Sequence, residues 1–482
     1  MSNLSGSMET NPGDSPVDSL ADTGIAGLVA SPIFAGVVIT QFLGAFNDNY
    51  FKQIVLLKCV EFERVTREQT GSGIDLQPYA MFAFALPFVL LSGLGGYLSD
   101  RCSRQRVIVL CKVAEIAVMA CVLIVLLTGD ISTHFRLVLL IGVLAMMGGQ
   151  SALFGPSKYG ILPELFSRNQ LLPVNGAVQM TTFLAIIFGM ALAGIALDVL
   201  EDSLWYASVI AVGIAFAGTL SSLLIRRTQP THSELPLRLE MLFVPRETWR
   251  LIWNRPVLRN CLMMAMLFWF IGGVTQPAVN SLGELTYGLS KTRTSLLAAS
   301  IGVGIGVGCL TAGIFSWNSG DGSMWVRAGG WMIVLALAVT AFVSSGLAGS
   351  PLPSDIPKSI PVELFQADRM EWMLRGSLFF LGFSAGVFMI PIQVYIQSAP
   401  PANQKGRVIG ALNLLSWLGI LASAVFIKIS NLVTDYLDGA ESAYRLRYLV
   451  FAALAVVMIP GAMFFRLDTG TESLGQQQQN DE

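Results

Sequence analysis

The sequence predicts an all-α membrane protein with twelve transmembrane helices in two similar six-helix bundles. Its composition, twelve apolar runs of membrane-spanning length and short motifs shared by the two halves support this prediction. Hydrophobic residues make up 53% of the 482 residues and charged residues only 13%, whereas soluble domains contain about 25% charged residues. So little charge is typical of a chain whose surface faces lipid.

Twelve apolar segments are long enough to cross a bilayer. A helix rises about 1.5 Å per residue, so about 20 apolar residues cross the roughly 30 Å of hydrocarbon. Mostly short polar connections separate the segments, which argues against buried helices of a soluble protein. The predicted helices, numbered 1 to 12, cover residues 33–57, 78–98, 107–128, 136–155, 173–198, 204–225, 260–281, 293–316, 326–348, 375–397, 408–430 and 445–465.

A linker joins the two predicted bundles, and a polar tail flanks each of them. Residues 1–30 are predicted to be a disordered cytoplasmic tail because most of them are small or polar, and the absence of an N-terminal basic region argues against a cleaved signal peptide. The N-terminal bundle covers residues 31–225, and the C-terminal bundle covers residues 260–466. Residues 226–259 form a cytoplasmic linker, and residues 467–482 form a second disordered tail.

The distribution of Lys and Arg predicts the orientation of the protein. Connections on the side of the termini hold more of these residues than the opposite connections, so both termini are expected in the cytoplasm, with the protein in the cytoplasmic (inner) membrane. Within the linker, the segment between Pro245 and Pro256 mixes tryptophan, aliphatic and arginine residues. That mixture predicts an amphipathic helix at the membrane surface.

Two short motifs recur at nearly the same separation. Asn175–Gln179 in predicted helix 5 is similar to Ile409–Asn413 in helix 11, 234 residues later, and Phe154–Pro156 is similar to Met389–Pro391, 235 residues later. Matching separations indicate a duplicated six-helix unit. This organisation is typical of transporters, whose substrate sites lie near the middle of the membrane between the repeats.

The connection between predicted helices 2 and 3 resembles the loop signature of the major facilitator superfamily, although Ser103 and Gln105 depart from it. The resemblance implies the fold of that superfamily, in which two halves rock about a central site. Such a connection can act as a latch, because an acid can cap a facing helix and arginines can pair with acids across the two halves. A plain positively charged loop is the alternative. The matching residues are Gly96, Leu98, Asp100, Arg101 and Arg104.

Two longer segments, Gln41–Lys52 and Ser151–Leu165, resemble the bacterial lysophospholipid transporter family. The resemblance implies that the protein flips lysophospholipids, chiefly lysophosphatidylethanolamine, from the outer to the inner leaflet by alternating access. A separate acyltransferase, functionally linked to the transporter, would then restore the missing chain. The protein is therefore expected to be a lipid transporter and not an enzyme. A major facilitator exporter of small amphiphilic compounds is the alternative.

Charged and amide residues in predicted helix 1 are candidates for a substrate or coupling-ion site. Asp48 lies near the middle of this helix, where a charge costs roughly 2.5–3.5 kcal/mol or more. In one hypothesis Asp48, flanked by Asn47 and Asn49, binds the headgroup ammonium or a coupling cation, with Na+ and H+ both open. In the other, Asp48 forms a structural ion pair with Lys52, four residues later.

Helices 3 and 4 add two further pairs of charged residues. Lys158 and Glu164 flank a proline-broken segment at the end of helix 4. Lys158 is a candidate contact for a lipid phosphate, and a surface lysine is the alternative. Lys112 and Glu115 lie three residues apart on helix 3. Their spacing favours a structural intramembrane pair.

Predicted helices 7 and 8 combine amide and glycine residues. Some members of the lysophospholipid transporter family carry a basic residue in helix 7 where this chain has Gln276. Headgroup recognition by hydrogen bonds from Gln276 and Asn280 is therefore expected. Helix 8 carries glycine at positions 302, 304, 306 and 308, which favours close helix packing, with gating as the alternative.

The sequence predicts no metal site, no cofactor and no nucleic-acid partner. The six cysteines have no metal-ligand spacing, and most of them lie in or beside apolar segments. His134 and His232 lie in predicted connections without a matching acid motif. A membrane-embedded acyltransferase is therefore disfavoured.

Overall fold

A computed structural model describes most of the chain. The described residues are Leu28, 30–71, 73–129, 131–167, 170–200, 203–229, 244–319, 322–347, 367–401, 404–438, 444–465 and Leu467. Both predicted tails lie almost entirely outside this part of the chain, as do the first half of the linker and His232.

The described chain contains twelve long helices. They are numbered α1 to α12 in chain order, and two shorter helices, Leu162–Leu165 and the linker helix Arg246–Asn254, are left unnumbered. The long helices are α1 Pro32–Thr70, α2 Gln77–Arg101, α3 Arg104–Leu127, α4 Thr133–Gly160, α5 Leu171–Val199, α6 Trp205–Ser222, α7 Pro256–Ser281, α8 Lys291–Ser319, α9 Gly322–Leu347, α10 Arg369–Ser398, α11 Lys405–Asp438 and α12 Leu449–Phe464.

The helices confirm the predicted all-α membrane fold. Ten are long and apolar enough to cross a membrane, and α12 is a shorter apolar helix. In α1 the polar run Asn47–Asn49 interrupts the apolar sequence, and α1 is not among the ten. This helix also continues 13 residues beyond the predicted residue 57, to Thr70, where Gly71 ends it with φ +78°. Glycine adopts such a conformation without steric cost.

Each half has its own hydrophobic core. Tyr50, Met119 and Leu144 are buried in the core of the N-terminal half, and Leu262 and Phe451 are buried in that of the C-terminal half. A soluble bundle would bury the remaining apolar faces, but here many large apolar side chains are exposed. The two halves are therefore separate helix bundles that share a narrow boundary.

Close contacts of α8 with α10 stiffen the C-terminal half. A Cβ atom added at Gly304 or Gly308 of α8 would overlap the backbone oxygens of Phe379 and Phe383 of α10. The reverse holds for Gly382 of α10, because its Cβ would overlap a backbone oxygen of α8. Gly306, between the two α8 glycines, has no atom within 4 Å of an added Cβ. Gly304 and Gly308 therefore serve close packing of α8 against α10.

A buried ion-pair triad also joins α8 to α10. Arg293 of α8 donates from Nε to Oε2 of Glu371 at 3.0 Å. Arg375 donates to Oε1 of the same carboxylate at 2.7 Å. Glu371 is fully buried, so each of its oxygens is matched by a guanidinium and its charge is not left unpaired in an apolar setting.

We name the two ends of the bundle by their connections. The α1–α2 end contains residues 71–76, the end of α5 and the start of α8. Here the Asp198 carboxylate of α5 accepts hydrogen bonds from the backbone nitrogens of Lys291 (3.2 Å) and Thr292 (2.6 Å) at the start of α8. An acid at a helix N-terminus satisfies free N–H groups and complements the helix dipole. This contact joins the two halves.

The linker helix lies at the other end, the α2–α3 end, which contains Cys102 and Ser103. The helix begins after Pro245 and ends at Asn254, with Pro256 starting α7. Ile252 packs in the core of the C-terminal half, whereas Trp253 is exposed. The helix thus has one protein-facing side and one exposed side.

We predict that the α8 glycines differ in sensitivity to substitution. Gly304→Leu and Gly308→Leu force side chains into the α10 backbone, and overpacking costs about 1–3 kcal/mol per site. Both variants should lower the thermal unfolding temperature of the purified protein and its yield as a monodisperse species. Gly306→Leu is the matched control and should keep both properties. An equal loss for Gly306→Leu would refute the packing role.

Candidate functional site

Asp48 links α1 to α4 in the interior of the N-terminal half. Its Oδ2 atom accepts a hydrogen bond of 2.7 Å from the Ser151 hydroxyl. The Oδ1 atom is buried and has no hydrogen-bond partner among the residues that the structure describes. A carboxylate with one free buried oxygen retains the capacity to accept a proton or contact a cation.

Lys52 does not pair directly with Asp48, contrary to the ion-pair hypothesis. The half-buried Lys52 ammonium lies 5.5 Å from the centroid of the Phe84 ring of α2. No ion pair within 4 Å joins Asp48 to Lys52 in the described chain, because Ser151 holds one carboxylate oxygen and the lysine reaches toward α2. Attraction of the ammonium to the ring face takes the place of the expected bridge.

The three neighbouring residues of the predicted site point to different partners. Asn47 is fully buried and donates to Glu115 at 2.9 Å. Asn49 donates to the backbone oxygen of Ala45, one turn earlier in its own helix, at 2.8 Å. Successive helix residues are about 100° apart around the axis. The structure therefore does not bring Asn47, Asp48 and Asn49 together.

Lys112 and Glu115 form an ion pair of 2.5 Å in the centre of the N-terminal half. Both side chains are at least 98% buried. The Lys112 ammonium lies against Gly44 of α1 and Gly218 of α6, where a Cβ atom would come within 2.6 and 3.3 Å of it. Glycine at both positions makes room for the ion pair between three helices.

A network of amide side chains joins the halves toward the α1–α2 end. Gln276 of α7 donates to Oε1 of Gln53 at 3.0 Å, and Gln53 donates to Asn280 at 2.9 Å. Gln77 of α2 donates to Ser281 of α7 at 2.9 Å. Gln276 and Asn280, predicted to recognise a headgroup, are thus engaged with helices of the opposite half. In this conformation they close the boundary between the halves.

The predicted latch lies within the N-terminal half and not across the two halves. Arg104 donates at 2.6 Å both to Glu164 and to the backbone oxygen of Gly160 at the end of α4. It also pairs with Asp100 at 3.4 Å. The expectation of a latch across the halves is corrected for this conformation, because free carbonyl oxygens at a helix C-terminus attract the nearby guanidinium.

The other latch and helix-4 candidates take separate positions. Arg101 donates to the hydroxyl of Tyr97, and Gly96 has open space around it. The Lys158 ammonium lies 4.6 Å from the centroid of the Tyr159 ring, while Glu164 is held by Arg104. Lys158 and Glu164 therefore do not form one site.

The sequence analysis missed residues that join the halves at the α1–α2 end. Gln53 and Gln77 are fully buried, and each bonds to the opposite half. Glu63 pairs with Arg447, 384 residues away in the chain. Gln53 and Gln77 sit among apolar residues, which is a signal that they have partners. No local pattern identifies a partner on a distant helix.

The described residues contain no group of three or more His, Cys, Asp or Glu side chains arranged to hold a metal ion. The six cysteines are free. The His134 ring packs 5.5 Å from the Phe62 ring, measured between centroids.

We predict that breaking the Lys112–Glu115 pair destabilises the N-terminal half. Lys112→Met leaves the Glu115 charge buried and unpaired, at a cost of about 3–5 kcal/mol. The unfolding temperature of the purified protein should fall strongly. The double variant Lys112→Met with Glu115→Leu should recover much of it, since neither charge remains. Failure of the double variant to recover would contradict a role limited to charge pairing.

Comparison with known proteins identifies similar sequences. Residues 33–424 match the family model of the Major Facilitator Superfamily. The lysophospholipid transporter LplT of Salmonella gallinarum is 23% identical over 405 residues, covering 82% of this chain and 88% of that protein. The LplT of Pectobacterium carotovorum is 22% identical over 404 residues, covering 82% of this chain and 87% of that protein.

Solved structures share the fold at low sequence identity. A D-xylose–proton symporter has a TM-score of 0.64 and is 14% identical, covering 89% of this chain and 97% of that one. The nucleoside transporter NupG has a TM-score of 0.60 and is 12% identical, covering 89% of this chain and 99% of that one. At these identities the likeness concerns the fold alone.

Proposed function

The chain belongs to the major facilitator superfamily, and from this premise we propose that it moves lysophospholipids from the outer to the inner leaflet by alternating access. It is a multi-pass membrane transporter and not an enzyme. The observation that carries the lipid proposal is the similarity to lysophospholipid transporters over 82% of the chain. A separate acyltransferase would then use the delivered lipid.

Asp48 is the residue through which we propose that the carrier senses its cargo or a coupling ion. An ionised carboxylate in hydrocarbon requires shelter by protein or water. Ser151 shelters one oxygen, and the other has no direct partner in the described chain. Asp48 would accept the ammonium of the headgroup, Na+ or H+, and the nearby Lys52 would attract the lipid phosphate.

The position of the contacts between the halves supports an inward-facing conformation. The amide network and the Asp198 cap of α8 both lie toward the α1–α2 end. The bias of Lys and Arg assigns that end to the outside and the termini and linker to the cytoplasm. The outer end would then be closed, and the cargo would leave toward the inner leaflet.

The cargo is an amphiphile, which explains why few polar groups are needed. A cavity open to the side of the bilayer would let the charged headgroup pass Asp48 and Lys52. The single acyl chain would stay among apolar side chains or lipid. The polar groups would thus bind only the headgroup, whose hydration they replace.

We predict that Asp48→Asn abolishes uptake. The assay measures inward movement of labelled lysophosphatidylethanolamine into vesicles containing the purified protein, with no gradient, a Na+ gradient or a proton gradient. Loss of a charge-assisted contact costs about 1.5–3 kcal/mol, so the initial rate should fall about tenfold or more.

Glu247→Gln provides the matched control, since it makes the same chemical change at a carboxylate of the linker helix that is 78% exposed. It should transport normally. Normal uptake by Asp48→Asn at equal abundance would remove Asp48 from the mechanism. Absence of lysolipid uptake by the wild-type protein under all three gradients would refute the lipid proposal.

A further inference from the structure

A buried cluster of charged residues also joins the halves at the α1–α2 end. Arg447, just before α12, donates to Glu63 of α1 at 2.7 Å and to Asp435 of α11 at 3.2 Å. Arg67 of α1 pairs with the same Asp435 at 3.4 Å. Glu63 and Arg67 belong to the N-terminal half, and their partners belong to the C-terminal half. Opening this end must therefore separate these ion pairs.

A second set of contacts surrounds this cluster. Asp75, in the α1–α2 connection, accepts a hydrogen bond from Asn431 of α11. The Tyr444 ring lies 4.5 Å from the Arg67 guanidinium and 5.2 Å from that of Arg447. Tyr444 has a φ of +75°, which is uncommon for a side chain of this size. Packing around the cluster holds this conformation.

The cluster holds more carboxyl groups than guanidinium groups. Glu63 is 0% exposed and Arg447 only 2%. The Oε2 atom of Glu63 is buried without a hydrogen-bond partner among the described residues. Nearby, the Lys428 ammonium lies over the Tyr79 ring, 5.4 Å from its centroid. The titratable and charged groups that face Glu63 are Cys59, Arg67, Asp75, Asp435, Tyr444 and Arg447.

We propose that the Glu63 carboxyl is a proton-binding site whose occupancy holds the α1–α2 end closed. This inference rests on the proposed alternating-access function. On opening, the carboxyl group enters water, releases its proton to the solvent at that end and becomes a carboxylate. On closing it takes a proton back from the same side. The proton therefore biases the conformation without crossing the membrane.

The electrostatic surroundings give the direction of the pH dependence. Burial, followed by the neighbouring Asp75 carboxylate, raises the pKa of Glu63 from 4.5 to about 8, with Arg447 opposing the change. Since opening would restore the ordinary pKa, protonation favours the closed state. That preference is complete below pH 4.5 and is lost as the pH rises through about 8.

Distances between spin labels on the two halves test this site. Gln69→Cys and Leu437→Cys place labels at exposed positions of α1 and α11 near the cluster, in a background with alanine at the native cysteines. The protein is reconstituted in liposomes, and the distances are measured between about pH 6 and about pH 8. The ratio of open to closed protein should rise with pH, by up to about tenfold per unit for one linked proton.

Glu63→Gln carries a neutral group that mimics the protonated acid, so it should stay closed across this range. Glu68→Gln is the matched control on the same helix, where the carboxylate is exposed, and should keep the wild-type response. A wild-type distance distribution that ignores pH would overturn the proposal, even if Glu63→Gln does not fold. So would an unchanged pH response in a folded Glu63→Gln protein.

Lysolipid uptake measured on the same samples separates the two proposals. A pH-dependent distance without lysolipid uptake supports the proton site and refutes the proposed cargo. Uptake with distances that do not respond to pH refutes the proton site and supports the lipid function.

Discussion

Charge buried among apolar helices is the constraint on which this structure depends. Each half meets it with one internal group of ion pairs: Lys112–Glu115 in the N-terminal half and Arg293–Glu371–Arg375 in the C-terminal half. Both groups are satisfied within a single half, so relative movement of the halves leaves them intact. Asp48 differs, because Ser151 is its only direct hydrogen-bond partner within the described chain. A residue left in this way is available to a ligand, whereas the paired groups are committed to structure.

The contacts between the halves are of two kinds, with different consequences for movement. Gln53, Gln276 and Asn280 exchange neutral hydrogen bonds, each worth about 0.5–1.5 kcal/mol net. Water can replace these bonds at little cost when the boundary opens. The pair between Glu63 and Arg447 is nearly inaccessible to water, so separating it requires two charged groups to change their surroundings at once. A boundary built from both kinds can open reversibly while remaining sensitive to the ionisation of a few groups.

Composition and apolar length were sufficient to predict the twelve-helix fold, because hydrocarbon imposes a strict length and polarity on each crossing. The same signal placed the end of α1 too early, since it measures the apolar run, while the helix itself continues in polar surroundings to Thr70. The spacing of Lys112 and Glu115 correctly indicated a local pair. Partners such as Gln53 for Gln276 were out of reach, because 223 residues separate them and only the packing of the halves brings them together.

The glycines of α8 have a mechanical consequence. On one side, a Cβ atom at Gly302 would contact the Ile187 side chain of α5, in the opposite half. On the other side, Gly304 and Gly308 bring the backbone of α8 directly against α10. Side chains can rotate to absorb a displacement, but two backbones in contact cannot. A tilt that begins at the junction of α5 and α8 is therefore passed to α10 without loss, and the C-terminal bundle swings as a lever whose far edge travels farthest.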